Sequence, residues 1–142
     1  MLTQRSRYAL RAMLLLARTD STTPLPLSRI AIEASVPRKF LEIIFVDLKQ
    51  AGLLVAHRGK AGGYRLAMPS HLISFGDIIR AIEGPLALVP CVSRTAYRRC
   101  DDCLDEATCA IRRAMLVVRD DTARILDGTS LADSLAEDLA AA

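Results

Sequence analysis

Apolar residues in the first fifty positions recur at helical spacing, and prolines and small polar clusters interrupt them. Leu10, Met13, Leu14 and Ala17 follow the i, i+3, i+4, i+7 stripe of an amphipathic helix, with Thr3 where an N-cap belongs. A first helix is therefore predicted over 3–18. A polar turn over 19–23 follows, then Pro24 and Pro26; Pro26 suits the start of a short helix over 27–34 with Ile30 as its buried anchor. Residues 35–37 form a tight turn, and Pro37 can open a third helix that runs to about residue 50. In it Leu41, Ile44 and Leu48 fall on one side, and Arg38, Glu42 and Lys49 fall together on the opposite side with Lys39 beside them. Gly52 closes it as a left-handed cap.

The pattern then shortens. Residues 53–57 and 64–67 read as strands around Arg58-Gly59-Lys60-Ala61-Gly62-Gly63, a hairpin with a flexible, basic tip. Three helices followed by such a hairpin is the order of a winged helix-turn-helix. Past Pro69, Ser74 caps a short helix through Phe75, Ile78, Ile79 and Ile82, which Gly84-Pro85 stop. Residues 90–108 are irregular and polar, longer than an ordinary connection inside a small domain. A helical pattern then spans 105–126, with Ile111, Ala114, Met115, Val118, Ile125 and Leu126 on one face. At that length it is roughly 33 Å long, too much apolar stripe for one small domain to cover, and so implies a partner helix. Gly128 ends it, and 131–139 form a last amphipathic segment. The expected fold is mainly α with a small β-hairpin wing. A winged helix-turn-helix occupies 1–83, a cysteine-bearing loop 84–104, and a long dimerisation helix with the C-terminal segment 105–142.

Composition refines this picture. The chain has 142 residues, 51% hydrophobic and 25% charged, enough for a packed core and too apolar for wholesale disorder. No apolar run approaches the ~18 residues of a membrane span. Arg5, Arg7 and Arg11 interrupt the N-terminal apolar pattern, and no small-residue cleavage site follows, so the expected location is the cytoplasm. The net charge of +3 is unevenly divided: residues 1–67 carry an excess of seven positive charges, and residues 68–142 an excess of four negative ones. A basic half suits a polyanion.

Arg38, Lys39, Glu42 and Lys49 on the third helix have the chemistry to read a major groove. Arginine and lysine pair with guanine edges or phosphates, and glutamate accepts from cytosine. A solvated helix face carries the same charges, but the wing distinguishes the two readings. Arg58 and Lys60 on a glycine-rich tip, with Arg65 nearby, make a cationic finger narrow enough for a minor groove or a phosphate row. Tyr64, Phe40, Phe45 and Phe75 are read as core or wing-packing residues. With 4% aromatics and no Trp, base stacking on single strands has little support.

All four cysteines lie in one stretch, Cys91-x8-Cys100-x2-Cys103-x5-Cys109. In a cytosolic chain that density points to metal, an iron–sulfur cluster or redox chemistry rather than structural disulfides. Zinc, a cluster, a reversible thiol switch and bystander cysteines all remain open on spacing alone. Arg94, Arg98, Arg99 and Arg112 surround the loop, offsetting thiolate charge and raising reactivity. His57 and His71 lie outside it and read as ordinary surface or packing residues. A thiol–disulfide enzyme built on Cys100-x2-Cys103 requires a strand–helix setting that is missing here, and no Ser/His/Asp or paired-carboxylate constellation appears.

Several stretches resemble small winged-helix regulators of the Rrf type. These are residues 7–13 (RYALRAM), Phe40-Leu41-Glu42, residues 49–54 (KQAGLL), residues 58–66 (RGKAGGYRL), residues 76–85 (GDIIRAIEGP) and residues 129–133 (TSLAD). The resemblance spans nearly the whole chain. It implies a homodimer, joined through the long helix, that binds pseudo-palindromic double-stranded DNA and represses or activates transcription. It also implies that the third helix enters the major groove, that Glu42 influences sequence choice and that Arg58 is the wing arginine. Many members hold a two-iron or four-iron cluster through three cysteines, matched here by Cys91, Cys103 and Cys109, with Cys100 as an extra candidate ligand. The chain departs from its relatives in a longer gap between Cys91 and Cys103, and in Arg112 where one cluster regulator has a histidine ligand. It also has Arg7-Tyr8-Ala9 where a nitric-oxide sensor has an aspartate, and Lys60-Ala61 in the wing in place of proline and glycine.

Overall fold

The computed structural model describes residues 2–19 and 22–141, so part of the polar turn expected over 19–23, Asp20 and Ser21, lies outside it. Its helices are α1 (Gln4–Arg18), α2 (Leu27–Glu33), α3 (Arg38–Gln50), α4 (Phe75–Glu83), α5 (Ala110–Asp127) and α6 (Leu131–Ala141). Two strands, β1 (Leu54–His57) and β2 (Gly63–Leu66), lie between α3 and α4. Short 3-10 turns occupy Ser70–Leu72 and Pro90–Val92. The winged helix-turn-helix order is present.

Local chemistry accounts for the boundaries. The Thr3 hydroxyl accepts from the Ser6 amide at 3.2 Å and caps α1, and Pro26 and Pro37 precede α2 and α3, where no amide donor is needed. Both of those helices end in the same paired-bond motif. After α3 the Gly52 amide returns to Lys49 and the Leu53 amide to Leu48, with Gly52 at φ +78°. After α2 the Ser35 amide returns to Ile32 and the Val36 amide to Ala31, with Ser35 left-handed at φ +54°. The turn between α2 and α3 is thus made by a serine where glycine is the usual residue. Ser74 and Asp77 form a reciprocal capping box on α4. Ser130 and Asp133 exchange the same two bonds at the start of α6.

The core lies between α1, α3, β1–β2, α4 and α6. Ile30, Leu41, Ile44 and Leu48 are fully buried as expected, each contributing about 2 kcal/mol of transfer free energy. The buried side of α1 differs from the expected stripe. Ala9, Ala12, Met13 and Leu16 are buried, whereas Leu10, Leu14 and Ala17 pack at the core's margin. The helix is apolar almost all round from Ala9 to Ala17 and packs against α3, α4 and α6, so periodicity alone could not select its innermost row. Leu131 of α6 is fully buried in this core, and the backbone pairs Phe75–Thr129 and Leu131–Ile73 bind the C-terminal segment to the start of α4.

Helix α5 is a correction. The expected start near residue 105 moves to Ala110, because the Asp105 carboxylate takes the Ala107 amide (3.1 Å) and the Thr108 hydroxyl (3.0 Å) into a turn. Eighteen residues remain, about 27 Å of helix. None of its residues is buried, and Ile111, Val117, Val118 and Ile125 are open to solvent.

Candidate nucleic-acid interface and cysteine cavity

Arg5 of α1 pairs with Asp47 of α3 at 2.7 Å, bracing α3 near its C-terminal end. With its inner row in the core, α3 turns Arg38, Lys39, Glu42 and Lys49 to solvent. Arg38 donates to Glu42 at 3.2 Å along the helix, so a cation and an acceptor that could each meet a base are already aligned. Helical geometry modifies the expected facing. At 3.6 residues per turn, Arg38, Glu42 and Lys49 lie along one side of the outer face, and the positions outward from the buried Leu41, Ile44, Phe45 and Leu48 are Lys39, Ile43, Val46 and Gln50. Ile43 is 58% exposed and Val46 54%. The sequence reading missed both. Their signal was available as apolar residues on the side away from the buried row.

The wing is a regular antiparallel pair, with Leu54 opposite Leu66, Val55 opposite Arg65, Ala56 opposite Tyr64 and His57 opposite Gly63. Leu25 extends it on the outer side, exchanging both backbone bonds with Tyr64 at 2.9 and 2.8 Å. A Cβ on Gly63 would lie well under 3.0 Å from the Leu25 carbonyl, and its φ is +152°, so a side chain there is excluded twice over. Tyr64 also packs edge-on against Phe45, with ring centroids 4.8 Å apart, which couples the wing to α3. Phe45 is therefore core, as expected. Phe40, by contrast, is half exposed and only tilts against Tyr8 at 5.7 Å. Arg65 donates to His57 at 2.9 Å and to the Leu66 carbonyl at 3.2 Å, so it serves the wing's own structure. Arg58 and Lys60 stand exposed at the tip. No ion pair involves either among the described residues.

The cysteines come together although eight residues separate the first from the second. Cys91, Cys100, Cys103 and Cys109 line one cavity of about 500 Å³, together with the carboxylates of Asp102, Asp105 and Glu106 and with Arg112. Cys91 is buried in the 3-10 turn, and Cys109 is the N-cap of α5, its sulfur accepting from the Arg112 amide at 3.4 Å. The Cys100 thiol is pushed up first by its hydrogen-bonding contact with the Cys91 thiol. Arg99 is raised by its contact with Cys103 and donates weakly to the carbonyls of Cys103 and Leu104, both at 3.5 Å. Among the described residues no three His, Cys, Asp or Glu side chains converge on one point as a metal ion requires. Arg112 Nε is buried without a hydrogen-bond partner in the wall of this cavity.

The loop is clasped to the middle of α5. Arg119 donates to the Val92 carbonyl at 2.6 Å and to Asp120 at 2.6 Å, and Arg94 reaches the same carboxylate at 3.1 Å. The Arg119 hydrogen bond holds Asp120 below the usual carboxylate range. A change at Cys91 is therefore one residue from the backbone group that α5 grips. Among the described residues no helix is long and apolar enough to cross a membrane.

Comparison with known proteins gives this architecture a family. Residues 2–137 match the model of the Rrf2 family, described as an iron-dependent transcriptional regulator. An Rrf2-like HTH-type transcriptional regulator of Rhodobacter capsulatus is 42% identical over 139 residues, 96% of this chain and 93% of the relative. The structure of CymR (YrzC), the global cysteine regulator of B. subtilis, superposes with a TM-score of 0.76 at 31% identity, covering 96% of this chain and 97% of that one. IscR of T. potens gives 0.75 at 27% identity, covering 97% and 88%. These relatives are regulators, not enzymes. The chain belongs to the Rrf2 family and is a DNA-binding transcription regulator.

Proposed function

We propose that this protein is a cytoplasmic homodimeric regulator that binds a pseudo-palindromic operator in double-stranded DNA and whose DNA affinity is set by the chemical state of its cysteine loop. The observation that carries this reading is the placement of all four cysteines on one cavity that abuts the N-terminus of α5. In this reading α3 enters the major groove with Arg38, Lys39, Glu42 and Lys49, and Arg58 and Lys60 carry the wing to the adjacent backbone or minor groove. The exposed apolar face of α5 is the seam with the second copy, whose own α5 covers Ile111, Val118 and Ile125. Residues 1–83 serve as the DNA-binding domain, 84–104 as the sensor loop, and 105–142 as the dimerisation segment.

The donor set suits an iron–sulfur cluster. Four thiols and the unpaired Arg112 Nε–H share this lining with Asp102, Asp105 and Glu106, so sulfur ligation needs the loop to draw three of the thiols together. Cys91, Cys103 and Cys109 would hold the cluster, with Cys100 as the fourth thiol. When bound, such a group supplies oxidant-labile thiolate ligation. The chain's own residues do the rest: Arg119 and Asp120 hold residues 92–94 on α5, and Cys109 caps that helix, so order in the loop is order at the dimer seam.

Anaerobic reconstitution with iron and sulfide, with iron, sulfide and zinc quantified on one sample, tests the reading. Stoichiometric iron and sulfide with visible absorbance are expected, lost in Cys91→Ser, Cys103→Ser and Cys109→Ser. Protein that binds neither under these conditions overturns it. The contact between the Cys91 and Cys100 thiols favours one second reading, a cluster-free switch. In it a peroxide takes two electrons and both thiol protons as the Sγ–Sγ bond forms, and the peroxide is reduced to water. Structural zinc in the same sample would instead make the cavity a scaffold.

A further inference from the structure

We infer that Ile43 and Val46 read thymine in the operator, by packing against the C5-methyl groups of the major groove. The inference rests on the reading that α3 enters that groove. The two side chains are three residues apart on α3, directly outward from its buried row, and both are more than half exposed. Isolated apolar residues on a surface require no explanation. Here the position supplies one. Lys39 and Gln50 share the outer face with them; Arg38, Glu42 and Lys49 lie along one side of it, and Phe40 and Asp47 along the other. The wing adds Arg58 and Lys60. The patch is thus a small apolar surface with Lys39 on it and Arg38 and Lys49 along one border. That combination matches the one apolar feature a DNA duplex offers within a field of phosphates, the thymine methyl group. A groove about 12 Å wide admits a helix of similar diameter, and the side chains at its outer meridian are the ones that meet the base edges.

The two β-branched side chains are also suited to the task. With few rotamers to lose, they present fixed methyl groups to a base edge, and they carry no polar atom that contact with a methyl group would leave unsatisfied. Glu42 is adjacent in sequence to Ile43 and accepts where a cytosine amino group is offered.

The experiment uses the full-length protein and duplexes that the wild type selects from a randomised pool. Each thymine of a selected duplex is then replaced by deoxyuridine, which removes only the methyl group. The expected result is a loss of binding of roughly four-fold for each methyl that is covered, at symmetric positions of the two half-sites. In Ile43→Ala or Val46→Ala the matching replacement should have no effect. Both sites are exposed, so these variants fold; unchanged circular dichroism and thermal midpoint verify that. Wild-type binding that is indifferent to every deoxyuridine, or variants that keep the full wild-type sensitivity, overturn the inference. Glu42→Ala separates the two levels. If it changes the preferred base while deoxyuridine has no effect, α3 reads DNA but not through methyl groups. If it changes nothing, the placement of α3 in the groove fails as well.

Discussion

Asp127, at the end of α5, sets its carboxylate in the space a side chain on Gly76 would need: a Cβ there would lie well under 3.0 Å from Asp127 Oδ1. The vacancy lets Arg80, one turn further along α4, grip that carboxylate with two bonds at 2.6 and 2.9 Å. The Arg80 hydrogen bond in turn holds Asp127 below the usual carboxylate range. The GDIIR stretch of the sequence is thus a joint between α4 and α5.

Gly76→Ala should displace Asp127 and break this joint at a cost of about 1 kcal/mol, since the clash is with a side chain that can swing away. In an Asp127→Ala background the same substitution should be close to neutral. Denaturant unfolding of the four proteins measures the coupling, and equal costs in both backgrounds would remove the joint from the account.

Gly63→Ala should be much harsher. Its Cβ meets the Leu25 backbone, and backbone cannot swing aside, so a loss of roughly 2–3 kcal/mol is expected. Gly59→Ala at the wing tip, left-handed but with open space around it, should cost nearer 1 kcal/mol. Thermal midpoints rank the two. Amide exchange at Leu25 and Tyr64 should accelerate only in the first.

Ser35→Gly should stabilise the protein. The left-handed turn costs a serine about 1–2 kcal/mol, and glycine returns part of that as chain entropy in the unfolded state. A net gain of about 0.5 kcal/mol should appear as a higher thermal midpoint. Ser35→Val should move it the other way.

Acid should loosen the molecule at two tethers. Burial pushes Glu83 up, but bonds from the Ser6 and Thr3 hydroxyls and the Thr3 amide outweigh it and leave Glu83 below its ordinary value. Asp127 is held low by Arg80. Carboxylates whose folded values are depressed contribute stability above their unfolded values, about 4, and lose it as the pH falls through the folded ones. Unfolding free energy should therefore decline below about pH 4. Glu83→Gln together with Asp127→Asn should flatten the decline, and a pH series of urea melts reads the difference.

Much of the architecture was legible because its signals are local. Caps, prolines after turns, glycines at helix ends and the strand pattern each act within a few residues, so Thr3, Ser74, Gly52 and the wing were placed to within a residue or two. The start of α5 was misplaced for the same reason. Asp105 satisfies a turn as readily as it starts a helix, and only the surrounding loop selects the turn.

The sequence by itself determined the element order, the basic and acidic halves, the wing and its two cations, and the family pattern that these residues carry. Only the tertiary structure decided which row of α1 is innermost. It alone brought four cysteines spread over nineteen positions onto one cavity beside the unpaired Nε of Arg112, and it alone joined Gly76, Arg80 and Asp127. These are contacts between residues distant in the chain. They follow from how the faces of several helices share one core, which no single segment encodes.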